Sequence, residues 1–214
     1  MPEFDLSHDG QMLILDRFDL VMQESGGIER LGFEDIAALA GLRVRDVLSD
    51  RKYQGSYQRV AELLRQLQLQ ARELHRFFEQ VAFSVMVHNG DAHLKNFGVL
   101  YRSDHEIWLA PLFDVVTTSI YTYTQYPGGP ELTDRTLALK LFSGKHHSKA
   151  YPTRDELLDF GRRVCGVSQP ARTLQAIAEG MRATLHDAKG DQRIPAALLA
   201  KMRPVWEEGM GCEK

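Results

Sequence analysis

The stretch from about Arg72 to Val87 constrains the fold of this chain more than any other. Leu74, Phe77, Phe78, Val81, Phe83, Val85, Met86 and Val87 place apolar groups nearly all round the second half of a helical repeat. A helix of that kind has no face to offer water, so the pattern predicts a buried central helix with the other elements packed about it. Asn89 and Gly90 end it, and the polar run HNGDAHLKN, His88 to Asn96, follows at once. A polar loop carried by a buried helix is one way for a rigid scaffold to present reactive groups at a cleft.

Two short apolar runs come next, Phe97 to Tyr101 and Ile107 to Leu109, which read as a tight hairpin leading to Leu112, Phe113 and Asp114. The loop therefore offers an acid, Asp91, and a carboxamide, Asn96, while the hairpin leads to a second acid. Phosphoryl transfer needs such a set: hard oxygen ligands for Mg²⁺ and a carboxylate beside the attacking hydroxyl. On that reading Asp91 is the acid near the acceptor, Asn96 a metal ligand, and Asp114 the carboxylate bridging metal and phosphates. The Lys95 ammonium would offset charge on the transferring group. An Asp, four intervening residues, an Asn, and an Asp beyond a hairpin is the protein-kinase spacing, with Val115 where glycine is usual.

Each of these residues taken singly is equally at home in a turn. His88 and His93, with Asp91 between them, could be metal ligands, yet zinc usually requires three or four converging ligands and no further ligand motif is evident. His93 is read instead as shaping the loop. Tyr53 and Tyr57 are read as core and rim aromatics, and the hydroxyls from Thr117 to Thr124 as exposed loop groups.

The remaining chain supplies the scaffold. Ser7 to Gly10 forms a turn signal before MLILDRF, giving one strand or a hairpin. Gly26, Gly27 and Gly32 punctuate a polar loop, and FEDIAALAGL reads as a short helix with acids in its first turn and Gly41 as its stop. Ser56 caps a helix bearing Val60, Leu63, Leu64 and Leu67, with a break near Gln70. The Thr- and Tyr-rich segment after Asp114, broken by Pro127 to Pro130, is expected to be extended and mobile. LALKLF, Leu137 to Phe142, is a short strand or the start of a buried segment. Three more helices are predicted: one capped by Thr153, one over about Pro170 to Lys189, and one over Pro195 to Glu208.

The chain has 214 residues, enough for one large or two small domains. A net charge of −3 argues against a general nucleic-acid binder. The basic cluster Lys140, Lys145, His146, His147 and Lys149 is read as a solvated loop. No apolar run is long enough to span a membrane and no basic leader opens the chain, so a cytoplasmic location without membrane contact is expected. Cys165 and Cys212 make a poor disulfide framework, and are read as a buried small hydrophobe and a free tail thiol.

Five segments together carry a family resemblance: DRFD at Asp16 to Asp19, FEDIAALAGL, KYQGSY, NGDAHLKNFGVLY and LAPLFDVVTT. In this order they resemble the C-terminal lobe of the HipA-like serine/threonine kinases, the toxin half of bacterial toxin–antitoxin pairs. The resemblance implies a two-lobed cytoplasmic enzyme using ATP and Mg²⁺. It further implies a helix-turn-helix antitoxin as partner, DNA reached only through that antitoxin, and an aminoacyl-tRNA synthetase as a type of substrate. By position it makes Asp91 the catalytic acid and Asn96 and Asp114 the metal ligands. Asp16, Arg17 and Phe18 become the hinge lining the adenine pocket, with Asp16 where the family commonly has Glu. The fold expected is mainly α with a few short β-strands, a kinase-like C-terminal lobe. Residues 1–19 would be a hinge strand or hairpin, and residues 20–214 the helical lobe, with catalytic loop 88–96 and metal-binding segment 112–115. No glycine-rich phosphate loop followed by a strand lysine occurs, so weak or absent activity is expected of these residues alone. A catalytically silent lobe that binds an antitoxin or a complementary lobe is the alternative.

Overall fold

Described here from a computed structural model over residues 3–44 and 50–211, the chain opens with two hairpins. These are β1 (Phe4–Leu6) with β2 (Leu13–Leu15), and β3 (Leu20–Met22) with β4 (Ile28–Arg30), both antiparallel. After them come β5 (Gly32–Asp35), α1 (Ile36–Leu39), α2 (Tyr57–Gln66), α3 (Ala71–Met86), β6 (Gly98–Ser103), β7 (Glu106–Leu109), β8 (Thr122–Tyr123) and β9 (Leu132–Thr133). Helices α4 (Arg154–Asp159), α5 (Pro170–Asp187) and α6 (Ala196–Met210) complete it.

The predicted central helix is α3, which packs against α2, α5, α6 and β7. Phe77, Phe78, Val81, Ala82, Val85 and Met86 are buried in the main core, as a helix apolar nearly all round requires. At Gly209 of α6 a Cβ would overlap the Met86 carbonyl, so only glycine lets α6 lie this close to the end of α3. Ser56 caps α2 by accepting from the Arg59 amide, and Thr153 with Glu156 forms a reciprocal capping box on α4.

Of the polar residues buried on α3, two are tethers. Glu73 accepts from the Leu109 amide at 3.0 Å, and Gln80 donates to the Ala110 carbonyl at 2.8 Å. They fix the end of β7 to the central helix just before the chain turns toward Asp114. Arg72 and Arg76 flank Glu73 at 3.1 and 2.9 Å, so its buried charge is paired on both sides.

The fold is mixed rather than mainly α, because strands form where loop or helix was expected. Gly26 and Gly27 of the glycine loop lie in the turn of the β3–β4 hairpin. Gly32 to Asp35, with Phe33 to Asp35 expected as a helical first turn, pairs as β5 with β6 in a three-stranded sheet ordered β5-β6-β7. Ladder bonds from β6 decide this, and Asp35 instead caps α1 by accepting from the Ala38 amide. Part of the Thr- and Tyr-rich segment pairs as β8 with β9 across Pro127 to Pro130. Leu137, Leu139 and Leu141 are buried in an irregular segment joined to its neighbours by isolated bridges at Lys140 and Thr136. Cys165 is a free, buried thiol whose pKa burial pushes up to about 12, while Cys212 lies outside the described residues.

Candidate functional site

The loop from His88 to Asn96 begins with a sharp reversal, since His88 adopts a positive φ of 55°. Asn89 then caps the turn by accepting the Asp91 amide at 3.1 Å. Gly90 donates its amide to Thr118 Oγ1 at 2.8 Å, and the His88 carbonyl accepts both the amide and the hydroxyl of Thr118. From the other side, the Tyr57 hydroxyl donates to the Ala92 carbonyl at 2.9 Å and the Leu94 amide donates to the Lys52 carbonyl. The loop is thus gripped by the segment after Asp114 and by the start of α2.

Asn96 and Asp114 are brought into contact. Asn96 Nδ2 donates to Asp114 Oδ2 at 2.8 Å, and Asp114 sits in the left-handed region with φ 54°. Asn96 is buried, and its Oδ1 has no hydrogen-bond partner. A buried carbonyl oxygen left unpaired beside an exposed carboxylate is a donor set that fits a hard cation, which takes oxygen ligands and often only one or two from protein.

Asp91 is half exposed, and its Oδ1 accepts from the Tyr53 hydroxyl at 2.7 Å. His93 lies beneath, buried, with Nε2 at 4.0 Å from the same oxygen and its ring edge-on to Tyr53 at 5.2 Å between centroids. The Lys95 amide donates to His93 Nδ1, which places the ring proton on Nε2, toward Asp91. Burial lowers the His93 pKa, with Lys52 lowering it further and Asp91 and Asp114 opposing the shift. Burial first, and the Asp91 bond second, raise the Tyr53 pKa well above its usual value.

The other predicted site residues are placed as follows. Lys95 is exposed, and its ammonium pairs with Asp35 at 2.9 Å rather than with a group of the site. Asp16 and Arg17 are exposed on the way out of β2, and Arg17 pairs with Asp19 at 2.9 Å. Phe18 does reach the site's edge: its ring lies 5.4 Å from Phe113, next to Asp114, and 5.8 Å from Phe33. A Cβ on Gly98 would come within 2.6 Å of the Phe33 ring, so glycine there makes room for that ring. Beside these rings opens a pocket of about 530 Å³ lined by Arg17, Phe18, Asp19, Arg30, Leu31, Gly32 and Phe33. Tyr53 is the functional candidate missed in the sequence. Its only signal there was its place in KYQGSY, four residues ahead of Tyr57, which also grips the loop.

The fold resembles that of the HipA toxin of Shewanella oneidensis MR-1, solved with HipB and operator DNA. The TM-score is 0.63 at 16% identity, covering 99% of this chain and 50% of that one. The sequence profile of the HipA-like C-terminal domain matches residues 1–188, and the chain belongs to that family. Two relatives from Sinorhizobium fredii, named "Putative kinase Y4dM" and "Putative kinase Y4mE", are each 30% identical, over 113 and 114 residues. These alignments cover 52% and 51% of this chain but 25% and 26% of the relatives. A Haemophilus influenzae protein named "Putative kinase" is 25% identical over 128 residues, covering 54% of this chain and 35% of that protein. The chain thus aligns with only a quarter to about a third of the length of these relatives.

Proposed function

We propose that this domain is the catalytic lobe of a serine/threonine protein kinase of the HipA type, transferring the γ-phosphoryl group of ATP to a protein hydroxyl. The observation that carries this reading is the pairing of Asn96 with Asp114 and the unpaired buried Oδ1 of Asn96. These two side chains would hold Mg²⁺, which when bound neutralises charge on the phosphates. Asp91, at the mouth of the loop, accepts the proton of the acceptor hydroxyl. Phe18, with Phe33 and Phe113, offers an aromatic wall to the adenine, and Asp16 and Arg17 form the hinge beside it. Lys95 would act only after leaving Asp35, so its role is the least supported of the set.

The biological setting that goes with this reading is a cytoplasmic toxin acting on an aminoacyl-tRNA synthetase. A helix-turn-helix antitoxin holds it in check, and DNA is reached through that antitoxin; the Shewanella neighbour, solved with HipB and operator DNA, supports this part. A second reading is favoured by one observation. Leu13 and Ile14 on β2 are 60% and 52% exposed and Met22 on β3 is 69% exposed, so the hairpins carry an apolar surface suited to a complementary lobe. On that reading the chain is a silent binding module.

Incubation with radiolabelled ATP and Mg²⁺ in a lysate lacking endogenous kinase activity tests the proposal. A labelled protein band absent with Asp91→Ala supports the kinase. Labelling by neither protein, in the presence of a complementary lobe, supports the binding module.

A further inference from the structure

We propose that Tyr53 is a positioning residue for phosphoryl transfer: its hydroxyl holds Oδ1 of Asp91 and turns Oδ2 toward the acceptor hydroxyl. The inference rests on the kinase reading and extends it to a residue outside the catalytic loop.

A short loop carboxylate with nearly half its surface in water rotates freely unless one oxygen is tied down, and rotation misplaces the base. The 2.7 Å bond from Tyr53 supplies that tie from 38 residues away in sequence. Tyr53 is itself held on several sides. Its ring meets His93 edge-on, and its carbonyl accepts from Lys149 Nζ at 3.1 Å. The ammonium groups of Lys52 and Lys149 lie 5.0 and 5.6 Å from the ring centroid. The basic segment ending at Lys149 is therefore part of this support rather than only a solvated loop. The charged and titratable groups around Tyr53 are Asp91, His93, Lys52, Lys149 and Asp50.

Burial and the Asp91 bond keep the phenol protonated, so across physiological pH it keeps the proton it donates to Asp91. A donor fixed in that state orients the carboxylate without competing for the proton that Asp91 must take. Phenylalanine would keep the ring contacts with His93 and the two lysines and lose only this bond.

The test has two arms. In the protein labelled with ¹³C at tyrosine Cζ, the Tyr53 signal is assigned by its absence in Tyr53→Phe and followed through a pH titration. It should stay protonated beyond about pH 10, where a tyrosine in an unstructured peptide ionises, and Asp91→Asn should lower its midpoint. An unchanged Tyr53 midpoint in Asp91→Asn overturns the bond. In the labelling assay, Tyr53→Phe should lower kcat about tenfold or more with the KM for ATP unchanged, the scale of a hydrogen bond to a charged group. A wild-type kcat in Tyr53→Phe overturns the role. If wild-type protein supplied with a complementary lobe labels nothing, the kinase reading fails, while the titration still decides whether Tyr53 holds Asp91.

Discussion

Between His88 and Asn96 the backbone is gripped on both sides: Thr118 binds His88 and Gly90, Tyr57 binds Ala92, and the Lys52 carbonyl receives Leu94. Between Phe4 and Ile28 the side chains tell the opposite story, with Phe4, Leu13, Ile14, Met22 and Ile28 all more than half in water. The first hairpin is anchored where Arg193 reaches Asp5 at 2.9 Å and the Leu6 carbonyl at 3.0 Å from the α5–α6 connection, and the second where Arg102 of β6 pairs with Glu29 at 2.9 Å. An isolated two-stranded hairpin is marginal in water, and an exposed apolar ribbon is a typical recognition surface. The loop is thus held by bonds within the chain, whereas the hairpins leave much of their apolar surface in water.

That contrast is best broken at the site itself. Asp91→Ala should cut phosphoryl transfer about 10²- to 10⁴-fold, the range of general-base loss, and Asp114→Ala should abolish it. Asp91→Ala should melt close to wild type because its side chain is nearly half exposed, whereas Asp114→Ala strips buried Asn96 of its acceptor and should lose about 1–3 kcal/mol. Near-normal labelling by either variant would remove that residue from the mechanism. Next in size is the support beneath the loop. Phe77→Ala, with no surface exposed, should cost about 3–5 kcal/mol in denaturant unfolding and take the loop's geometry with it.

Binding sharpens the comparison from the other side. Calorimetric titration of the chain alone with ATP and Mg²⁺ should give an affinity no tighter than about millimolar, near 4 kcal/mol, if, as the proposed reading has it, a complementary lobe completes the nucleotide site. Micromolar binding would show a complete nucleotide site without it.

Acid should weaken the loop side more than the hairpin side. Burial lowers the pKa of His88 and of His93. Their unfolded counterparts titrate near about 6.5, so as pH falls through that value the unfolded chain takes up protons that the folded chain refuses. Stability is therefore full above that pH and declines below it, toward the lowered folded values. Melting temperatures at pH 5.5 and pH 7.5 check this, and His93→Gln should flatten the difference. The smallest effect belongs to the hairpins: Ile14→Thr should change stability by no more than about 0.5 kcal/mol while weakening any complementary lobe that binds there.

Much of the interior was legible in the sequence because helical periodicity and caps are local signals. The continuous apolar pattern located α3, Ser56 and Thr153 marked their helices, and the hairpin to Asp114 lies where its two apolar runs put it. What stayed hidden depends on partners far along the chain. Gly32 to Asp35 is a strand only because Gly98 to Tyr101 lies beside it. Glu73 and Gln80 carry no sign in a helical repeat that they tether Leu109 and Ala110. In the site, residue types and spacing pointed to Asp91, Asn96 and Asp114, and the structure adds that the last two touch. Tyr53 was passed over because an aromatic beside a helix start looks like packing until its hydroxyl is seen on Asp91.

Trp206 offers a way to watch the site without a substrate. Its indole nitrogen donates to Thr117 Oγ1 at 2.9 Å, three residues beyond Asp114, while the chain's other tryptophan, Trp108, sits in β7. Indole emission responds to the loss of such a bond and to the polarity around the ring. Any cation or nucleotide that redraws the backbone after Asp114 should therefore register as a colour change from the last helix. In Trp108→Phe that signal has a single source, and the molecule carries its own optical gauge of whether the segment after Asp114 has moved.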